Sequence, residues 1–449
     1  MAKDLFLEEI EKIVQPQGQI SLRSGIDARI TYQNQQYDGM AEVVLSLTPN
    51  PETIIRLTCA KDDLLEVLNS HECLELMIEF PTLGVSAQAF PKGIPGTSSL
   101  DGSFSLDLIP LGSDLRRNSP KKKQISRLTF CLFNFHKFRC LDGRYRRNRQ
   151  AINNEGSPVA LQGIELSSGD WTIQLSELCW SKESFIKLEQ GSGYSITHFG
   201  EIKRNDGGSF SLNRAHEILD ALHLFFSFAR GMWTAPILAK GINNAGETVW
   251  EQFDLPLCDR WRCSPTWFDS FRGEMLGDVF SGFFEKLLHK QWNECLSTAI
   301  HWYLTSKIGQ VDAGLVMAQA TLELLSWVYS AGHKTPMDMK SFDNLPAAFR
   351  IKSILCDANI SRNVPSALTR LTKKNYDNGP EAITTLRNQI SHPKGKTSEG
   401  IFSLRRDALK LSQWYIELIL LWLCNYNGDY ASTLKMQIPG QLERVPWAV

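Results

Sequence analysis

The spacing of apolar residues divides this chain into two halves with different secondary structure. Between residues 19 and 199, short runs rich in Val, Ile, Thr, Leu and aromatic residues are separated by clusters of Gly, Pro, Asn, Asp and Ser. Such runs, about ten residues apart, are typical of the strands of a sandwich or barrel. We therefore predict a β-rich first half, with residues 62–69 as a candidate helical insertion.

Beyond residue 275 the apolar positions repeat with the period of an α-helix. Leu276, Val279, Phe280 and Phe283 begin a stripe that continues to residue 300, and this pattern predicts an amphipathic helix. The same reasoning predicts further helices at 311–329, 347–356, 364–371, 381–391 and 402–425. An earlier helix through 215–230 is predicted to close the first half, with Asn213 as its N-cap and Gly231 as its C-cap.

These patterns predict an α+β fold with a β-rich N-terminal domain followed by an all-α helical bundle. The boundaries we expect are a β-rich domain at 1–235, an irregular Trp-rich connector at 236–274, and the helical domain at 275–449. The apolar stripe within 409–422 is too broad for one helix face, which favours burial by both the bundle and a partner chain.

Composition excludes several classes of protein. The chain has 449 residues, a formal net charge of −1, 43% hydrophobic residues and 22% charged residues, which excludes disordered, collagenous and polycationic proteins. The ten cysteines show no zinc-type spacing, and the first residues lack the apolar run of a signal peptide. The most apolar window, 415–424, is too short to span a membrane. We expect a cytoplasmic protein with reduced thiols, no metal site and no cofactor.

One short motif carries chemistry: Arg387, Asn388 and His392 near the end of a predicted helix. Residues five apart do not share a helix face, whereas Asn388 and His392 do. Pro393 disfavours the helical conformation at His392, so we predict that the helix ends there and that the imidazole turns toward Arg387.

An arginine and a histidine are suited to RNA cleavage without a metal. An imidazole can move the proton of the 2′-hydroxyl, and a guanidinium can stabilise the charged phosphorane. Attack and departure need a base and an acid, so a two-fold dimer with two such pairs in one cleft would complete the site. In the competing interpretation, Arg387 makes a surface ion pair and His392 only ends a helix.

Arg387, Asn388 and His392, followed by a long amphipathic helix, resemble the motif of the HEPN superfamily, and the resemblance covers about residues 275–427. The segment 320–325 resembles the earlier helix of those domains and carries an acid, Glu323. The resemblance implies a dimeric, metal-independent endoribonuclease of toxin–antitoxin or anti-phage defence systems. It also implies that residues 1–235 form a sensing or binding domain, and that the activity is controlled by this N-terminal half, by an antitoxin or by a phage-derived trigger. It implies catalytic roles for Arg387 and His392, with Asn388 as the polar residue of the motif and Glu323 as the upstream acid.

A second feature is a basic segment in the β-rich half. Residues 116–149 contain twelve Lys and Arg residues but a single acid, Asp142. A basic stretch with interleaved aromatics can bind an RNA backbone and stack on bases. Alternatively, solvated loops flank a strand whose aromatics are core. The RNA-binding candidates are Lys121, Lys122, Lys123, Arg144, Arg146 and Arg147 here, with Lys394 and Lys396 just beyond His392; the interleaved aromatics are Phe133, Phe135, Phe138 and Tyr145.

Two other functions fit the same sequence. The chain could be a non-catalytic dimeric scaffold, or a nucleic-acid or ligand-binding protein that uses its basic β-rich domain. It could also be a metal-dependent nuclease, if Asp170, Glu201 and Lys203 converged around a divalent ion.

Overall fold

The computed structural model describes residues 18–32, 35–60, 76–82, 85–92, 103–110, 116–118, 124–152, 158–178, 181–253, 255–333, 339–392 and 400–448. Four predicted features fall outside these ranges: the helical insertion at 62–69, the lysines at 121–123, and Lys394 and Lys396.

The chain begins with a closed six-stranded antiparallel barrel, called the barrel module below. The strand order is β1-β2-β3-β6-β5-β4. Side chains alternate between the interior and the surface, as the burial pattern of β4 shows, and the interior is filled by residues such as Ile30, Leu57 and Ile78. The strands are β1 (Gln19–Tyr32), β2 (Gln35–Ser46), β3 (Glu52–Ala60), β4 (Leu76–Phe80), β5 (Val85–Pro91) and β6 (Ser103–Pro110).

An eight-stranded antiparallel sheet follows, in the order β10-β11-β12-β13-β9-β15-β16-β7. Together with the helices α1 (Ser181–Gly191) and α2 (Leu212–Arg230) it forms the sheet module. Two more strands, β8 (Gln124–Ile125) and β14 (Phe210–Ser211), pair with each other. The strands of the large sheet are β7 (Arg116–Asn118), β9 (Arg127–Phe133), β10 (Arg146–Ile152), β11 (Pro158–Ser168), β12 (Trp171–Glu177), β13 (Ile196–Arg204), β15 (Pro236–Ile242) and β16 (Thr248–Gln252).

The predicted Trp-rich connector is therefore partly sheet. Residues 236–252 form β15 and β16, and β15 pairs with β9 while β16 pairs with β7. The Pro, Gly and Trp residues of this stretch suggested irregular structure, but Trp250 is a fully buried core residue of the sheet. The part of the connector that the structure describes without helix or strand is 253 and 255–273.

Helices make up most of the remainder. They are α1 (Ser181–Gly191), α2 (Leu212–Arg230), α3 (Glu274–Leu288), α4 (Lys290–Ser306), α5 (Val311–His333), α6 (Met339–Asp343), α7 (Ala347–Asp357), α8 (Thr369–Thr372), α9 (Gly379–Ser391) and α10 (Ile401–Leu423). The chain ends with the short strands β17 (Asp429–Tyr430) and β18 (Glu443–Arg444). The helices α3 to α10 and this C-terminal segment form the helical module.

Several predicted helix ends are shifted. The N-cap of α2 is Ser211 rather than Asn213, because the Ser211 side chain accepts from the backbone N–H of Arg214. Gly231 has φ 69° and ends this helix as predicted. The long stripe from residue 276 is two helices, since His289 adopts an extended conformation. Only Thr369–Thr372 is helical in the segment predicted at 364–371, where Pro365 disfavours the helical conformation of the residue before it.

The helix α10 is the centre of the helical module. Tyr415, Ile416, Leu418 and Ile419 are fully buried, and α10 packs against α5, α9, α8 and α7. The broad apolar stripe of this helix is therefore explained by contacts within one chain, and it gives no reason to invoke a partner.

Among the described residues, α5 has the length and composition that a membrane span requires. This helix packs against α4, α7, α9 and α10. The sheet and helical modules also share one continuous core, in which Phe225 and Phe228 of α2 contact Phe283 of α3.

Candidate functional site

The helix α9 presents the predicted catalytic motif at its C-terminal end. The Asn378 side chain caps the N-terminus by accepting from the N–H of Glu381 at 2.9 Å. Buried Ile383 and Leu386 hold one face of the helix in the core. The helix ends at His392, whose φ of −133° and ψ of 70° are not helical. The predicted end of this helix is confirmed.

Asn388 connects the two ends of the motif. Its side-chain Oδ1 accepts a hydrogen bond from Nη1 of Arg387 at 3.3 Å, and its backbone carbonyl accepts from the N–H of His392 at 2.8 Å. Asn388 and His392 are exposed, and Arg387 is half-buried. The three residues thus lie together at one exposed helix end.

The guanidinium of Arg387 has unused hydrogen-bonding capacity. Its Nε is buried and has no hydrogen-bond partner within the described part of the chain. No carboxylate of the described residues pairs with Arg387 either, so the surface ion pair of the competing interpretation is not formed among them. A guanidinium without a counter-ion at a helix end is able to bind a phosphate.

Glu323, the expected upstream acid, has a different partner. It lies on α5, where its Oε2 accepts from Nη2 of Arg350 on α7 at 2.5 Å and its Oε1 accepts from Nε2 of Gln319 at 2.9 Å. The helices α5, α7 and α9 pack against one another, but the hydrogen bonds of Glu323 go to Arg350 and not to Arg387. Sequence reasoning missed Arg350, which lies 27 residues away along the chain and carries no local signal.

The basic segment of the sheet module is neutralised only in part. Arg144 pairs with Asp142 at 2.5 Å, Arg147 pairs with Glu165 at 2.9 Å, and Arg127 pairs with Glu201 at 3.1 Å. Three other cations, Lys137, Arg139 and Arg146, are exposed and have no carboxylate partner among the described residues. Acids from neighbouring strands and turns therefore pair with half of the basic side chains that the structure describes here.

The aromatics of this segment cannot stack on bases. Phe133, Phe135 and Phe138 are fully buried, and Phe138 stacks on the buried ring of His198 at 5.4 Å. Tyr145 donates a hydrogen bond to Asp278 at 2.8 Å. The interpretation that treated the phenylalanines as core residues is correct.

The residues of the predicted metal triplet do not converge. Glu201 pairs with Arg127 and Lys203, whereas Asp170 lies 3.4 Å from Arg204. Glu201 pairs with Gln174 across the sheet. Asp170 precedes Gln174 by four residues, so it lies about 13 Å along the strand direction from the position of Glu201. Within the ranges that the structure describes, no group of three His, Cys, Asp or Glu residues is placed to hold a metal ion.

Two polar residues of the sheet module are deeply buried. Burial lowers the pKa of His198 to about 3 and the pKa of Arg230 to about 9. The Arg230 guanidinium donates to the carbonyls of Asn134 and Arg262 and lies over the ring of Trp261 at 4.5 Å. These contacts hold the loop before α3 against the sheet, so Arg230 has a structural role.

Two family models match the chain. The model of the YopA central domain matches residues 120–264, which contain most of the sheet module. The model of the YopA C-terminal domain matches residues 289–443, which contain α4 to α10 and the motif on α9.

One relative extends this similarity. The chain is 31% identical over 288 residues to the SPbeta prophage-derived uncharacterized protein YopA of Bacillus subtilis (strain 168). The aligned part covers 63% of this chain and 65% of that protein, so it spans just under two thirds of the relative's length. No solved structure matches the chain. The chain is thus similar to YopA in both its sheet module and its helical module.

Proposed function

We propose that this protein is a metal-independent endoribonuclease of the HEPN type, with its active site at the C-terminal end of α9. In the proposed reaction, the RNA 2′-oxygen attacks the adjacent phosphorus, His392 accepts the 2′-hydroxyl proton, and the bond between phosphorus and the 5′-oxygen breaks. Arg387 stabilises the charge of the phosphorane, and Asn388 orients Arg387. The products are a 2′,3′-cyclic phosphate and a 5′-hydroxyl.

One observation carries the proposal: a guanidinium whose buried Nε has no partner among the described residues lies near the C-terminal end of α9, and the exposed His392 ends the same helix. A half-buried guanidinium without a counter-ion binds an anion more strongly than a solvated one. The exposed imidazole at the same helix end would act as the base in this scheme.

The departing 5′-oxygen needs a proton, and a second imidazole must supply it. We propose that a second copy of this chain contributes that group, with the two α9 ends facing each other across a two-fold axis. Glu323 and Arg350 act indirectly in this scheme, by fixing α5 against α7 behind the site.

The proposed setting is the cytoplasm of a bacterial cell, where the substrate is tRNA or another cellular RNA. Because such an activity would be toxic, an antitoxin or a phage-derived trigger would control it. The similar YopA protein is prophage-derived, which supports a relation of the chain to phages. The defence role itself rests on the HEPN resemblance.

The test is cleavage of total cellular RNA and of tRNA by the purified protein in EDTA. We expect the wild type to leave 2′,3′-cyclic phosphate ends, and His392→Ala and Arg387→Ala to lose the activity. Matched controls are His301→Ala on α4 and Lys373→Ala after α8, both at exposed positions, which should cleave like the wild type.

Cleavage that survives both motif substitutions would overturn the proposal. If the wild type is inactive in vitro, expression in cells replaces the assay. Toxicity of the wild type but not of His392→Ala supports the ribonuclease, whereas equal growth of both strains favours the non-catalytic scaffold.

A further inference from the structure

A cavity of about 290 Å³ lies where the sheet module meets the helical module. One wall is the segment that follows the sheet, and the others are the end of α4, the loop after it and the first half of α10. Its size is at the lower end of the range for small-molecule sites, which begins at about 300 Å³. The motif on α9 does not line it.

The lining of this junction cavity is strongly basic. Four cationic residues line the cavity, but only one carboxylate does. Three of the cations come from two different elements, the segment after the sheet and α10. The cations are Arg262, Lys307, Arg406 and Lys410, and the carboxylate is Glu417.

At the floor of the cavity, the positive charge of Lys307 is balanced by the carboxylate of Glu417. Lys307 donates to the Pro265 carbonyl and to the Tyr303 hydroxyl at 2.6 Å each, and lies 3.4 Å from Glu417. Glu417 also accepts from Thr433 at 2.9 Å. All three donors of Lys307 are thus used, so the floor adds little net charge.

The positive charges of the α10 wall are not balanced by carboxylates in this way. Arg406 and Lys410 are one helical turn apart on α10 and share a face; both are exposed, and neither has a carboxylate partner among the described residues. Arg262 is 3.5 Å from Asp259, at the limit of hydrogen bonding. The neutral donors are occupied, since Ser264 donates to Gly231 and Gln413 donates to Ser306.

We infer that this junction cavity binds a small phosphate-bearing ligand of about mononucleotide size. Arginine and lysine residues on two walls of one cavity fit an anion with more than one charge and several acceptor oxygens. A single carboxylate would leave part of this charge unmatched. Because Arg262 comes from the sheet side and Arg406 and Lys410 come from the helical side, a bound phosphate joins the two modules.

A reactive thiol already present in the chain reports on occupancy. Cys263 is exposed and lines the cavity, whereas Cys356 is exposed but lines a different one. The experiment measures the alkylation rate of both thiols in the full-length protein by peptide mass spectrometry. We expect adenosine monophosphate, and inorganic phosphate at higher concentration, to slow alkylation of Cys263 at least fivefold without changing Cys356.

Variants locate the effect. Arg406→Gln with Lys410→Gln should raise the concentration of adenosine monophosphate needed for protection at least tenfold, and Arg262→Gln should raise it at least threefold. The matched control is Lys373→Gln with Lys374→Gln, which removes two exposed charges outside the cavity and should keep the wild-type value.

Further probes distinguish the sources of phosphate. Adenosine without a phosphate should not protect Cys263, which would show that the phosphate is recognised. Protection by a short RNA alone, with no effect of either small phosphate compound, would overturn the inference of a small ligand. The inference would also be overturned if neither adenosine monophosphate nor inorganic phosphate protected Cys263 at millimolar concentration. It would likewise be overturned if the double variant at Arg406 and Lys410 were protected as well as the wild type.

Discussion

The sheet module and the helical module both carry clusters of positive charge, but the two clusters differ in whether their arginines have carboxylate partners. In the sheet module, Arg127, Arg144 and Arg147 each meet a carboxylate within 3.1 Å. In the helical module, Arg387 and Arg406 meet none among the described residues. Three arginines of the most basic segment in the sequence are therefore paired with acids, whereas Arg387 and Arg406 are not.

The difference follows from how each element places its neighbours. In a sheet, the partner of a residue comes from another strand, and Glu165 and Glu201 reach the basic segment from β11 and β13. On a helix, side-chain neighbours lie three and four residues away. Around Arg387 these are Ile383, Thr384, Ile390 and Ser391, and around Arg406 they are Phe402, Ser403, Leu409 and Lys410. None of them is acidic.

The largest expected effect compares the two regions directly. His392→Ala should lower the rate of RNA cleavage about 100-fold or more, because proton transfer by a positioned side chain contributes about 10²–10⁴-fold. Arg144→Gln with Arg147→Gln should lower it by less than about threefold, since both arginines are already paired with acids. Single-turnover cleavage of tRNA measures both, and a larger loss in the arginine pair would reverse the comparison.

The next effect concerns carboxylates in the two regions. Glu417→Gln should destabilise the protein by about 3–5 kcal/mol, because it leaves the buried Lys307 without a counter-ion. Glu165→Gln should cost less than about 1 kcal/mol, because Arg147 remains solvated. Urea denaturation measures both free energies of unfolding. Similar losses for the two variants would mean that solvent reaches Lys307 and that the floor of the junction cavity is open.

A histidine of the sheet module should make stability depend on pH. The pKa of His198 is lowered by burial to about 3 in the folded chain, so below the ordinary histidine value of about 6.5 the unfolded chain binds a proton that the folded chain does not. Stability should therefore fall as the pH drops, by about 2 kcal/mol from this site between pH 6.5 and 5.

The control for this pH dependence is His198→Gln, which removes the titrating group. Its free energy of unfolding should change less steeply over the same pH range, whatever its absolute value. Parallel curves for the wild type and His198→Gln would contradict the burial of this ring.

The smallest effect is a gain. Glu165→Gln releases Arg147 from its ion pair, so the affinity of the protein for a short RNA should rise about twofold to threefold, and the salt dependence of binding should become steeper by about one released ion. Gel-shift titrations at two salt concentrations measure this. Unchanged affinity would show that RNA does not approach this face of the sheet.

The elements of the chain were largely predictable, because apolar periodicity reports burial of one face. The β-rich half, the helices α2, α5, α7, α9 and α10, and the end of α9 at His392 all follow from local pattern. The predictions were wrong where the local composition or periodicity of a segment differs from the structure that it adopts in the folded chain. Residues 236–252 have the composition of a loop but complete a sheet, and residues 276–300 have one stripe but two helices.

The candidate site was predictable only in part. The positions of Arg387, Asn388 and His392 at one helix end follow from their spacing and from Pro393. The hydrogen bond between Arg387 and Asn388 joins neighbouring residues, whereas the pairing of Glu323 with Arg350 depends on how α5 and α7 pack. The junction cavity could not be inferred, because Arg262 lies more than 140 residues along the chain from Arg406 and Lys410.

The sequence by itself determined the two types of secondary structure, the order of the elements and the location of the motif, because these depend on residues close together in the chain. Only the tertiary structure decided which charges are neutralised, which aromatics are core and where a cavity lies. Ion pairs such as Arg127 with Glu201 and Lys307 with Glu417 join residues far apart in sequence. Their contacts are set by strand register and helix packing, which no local pattern specifies.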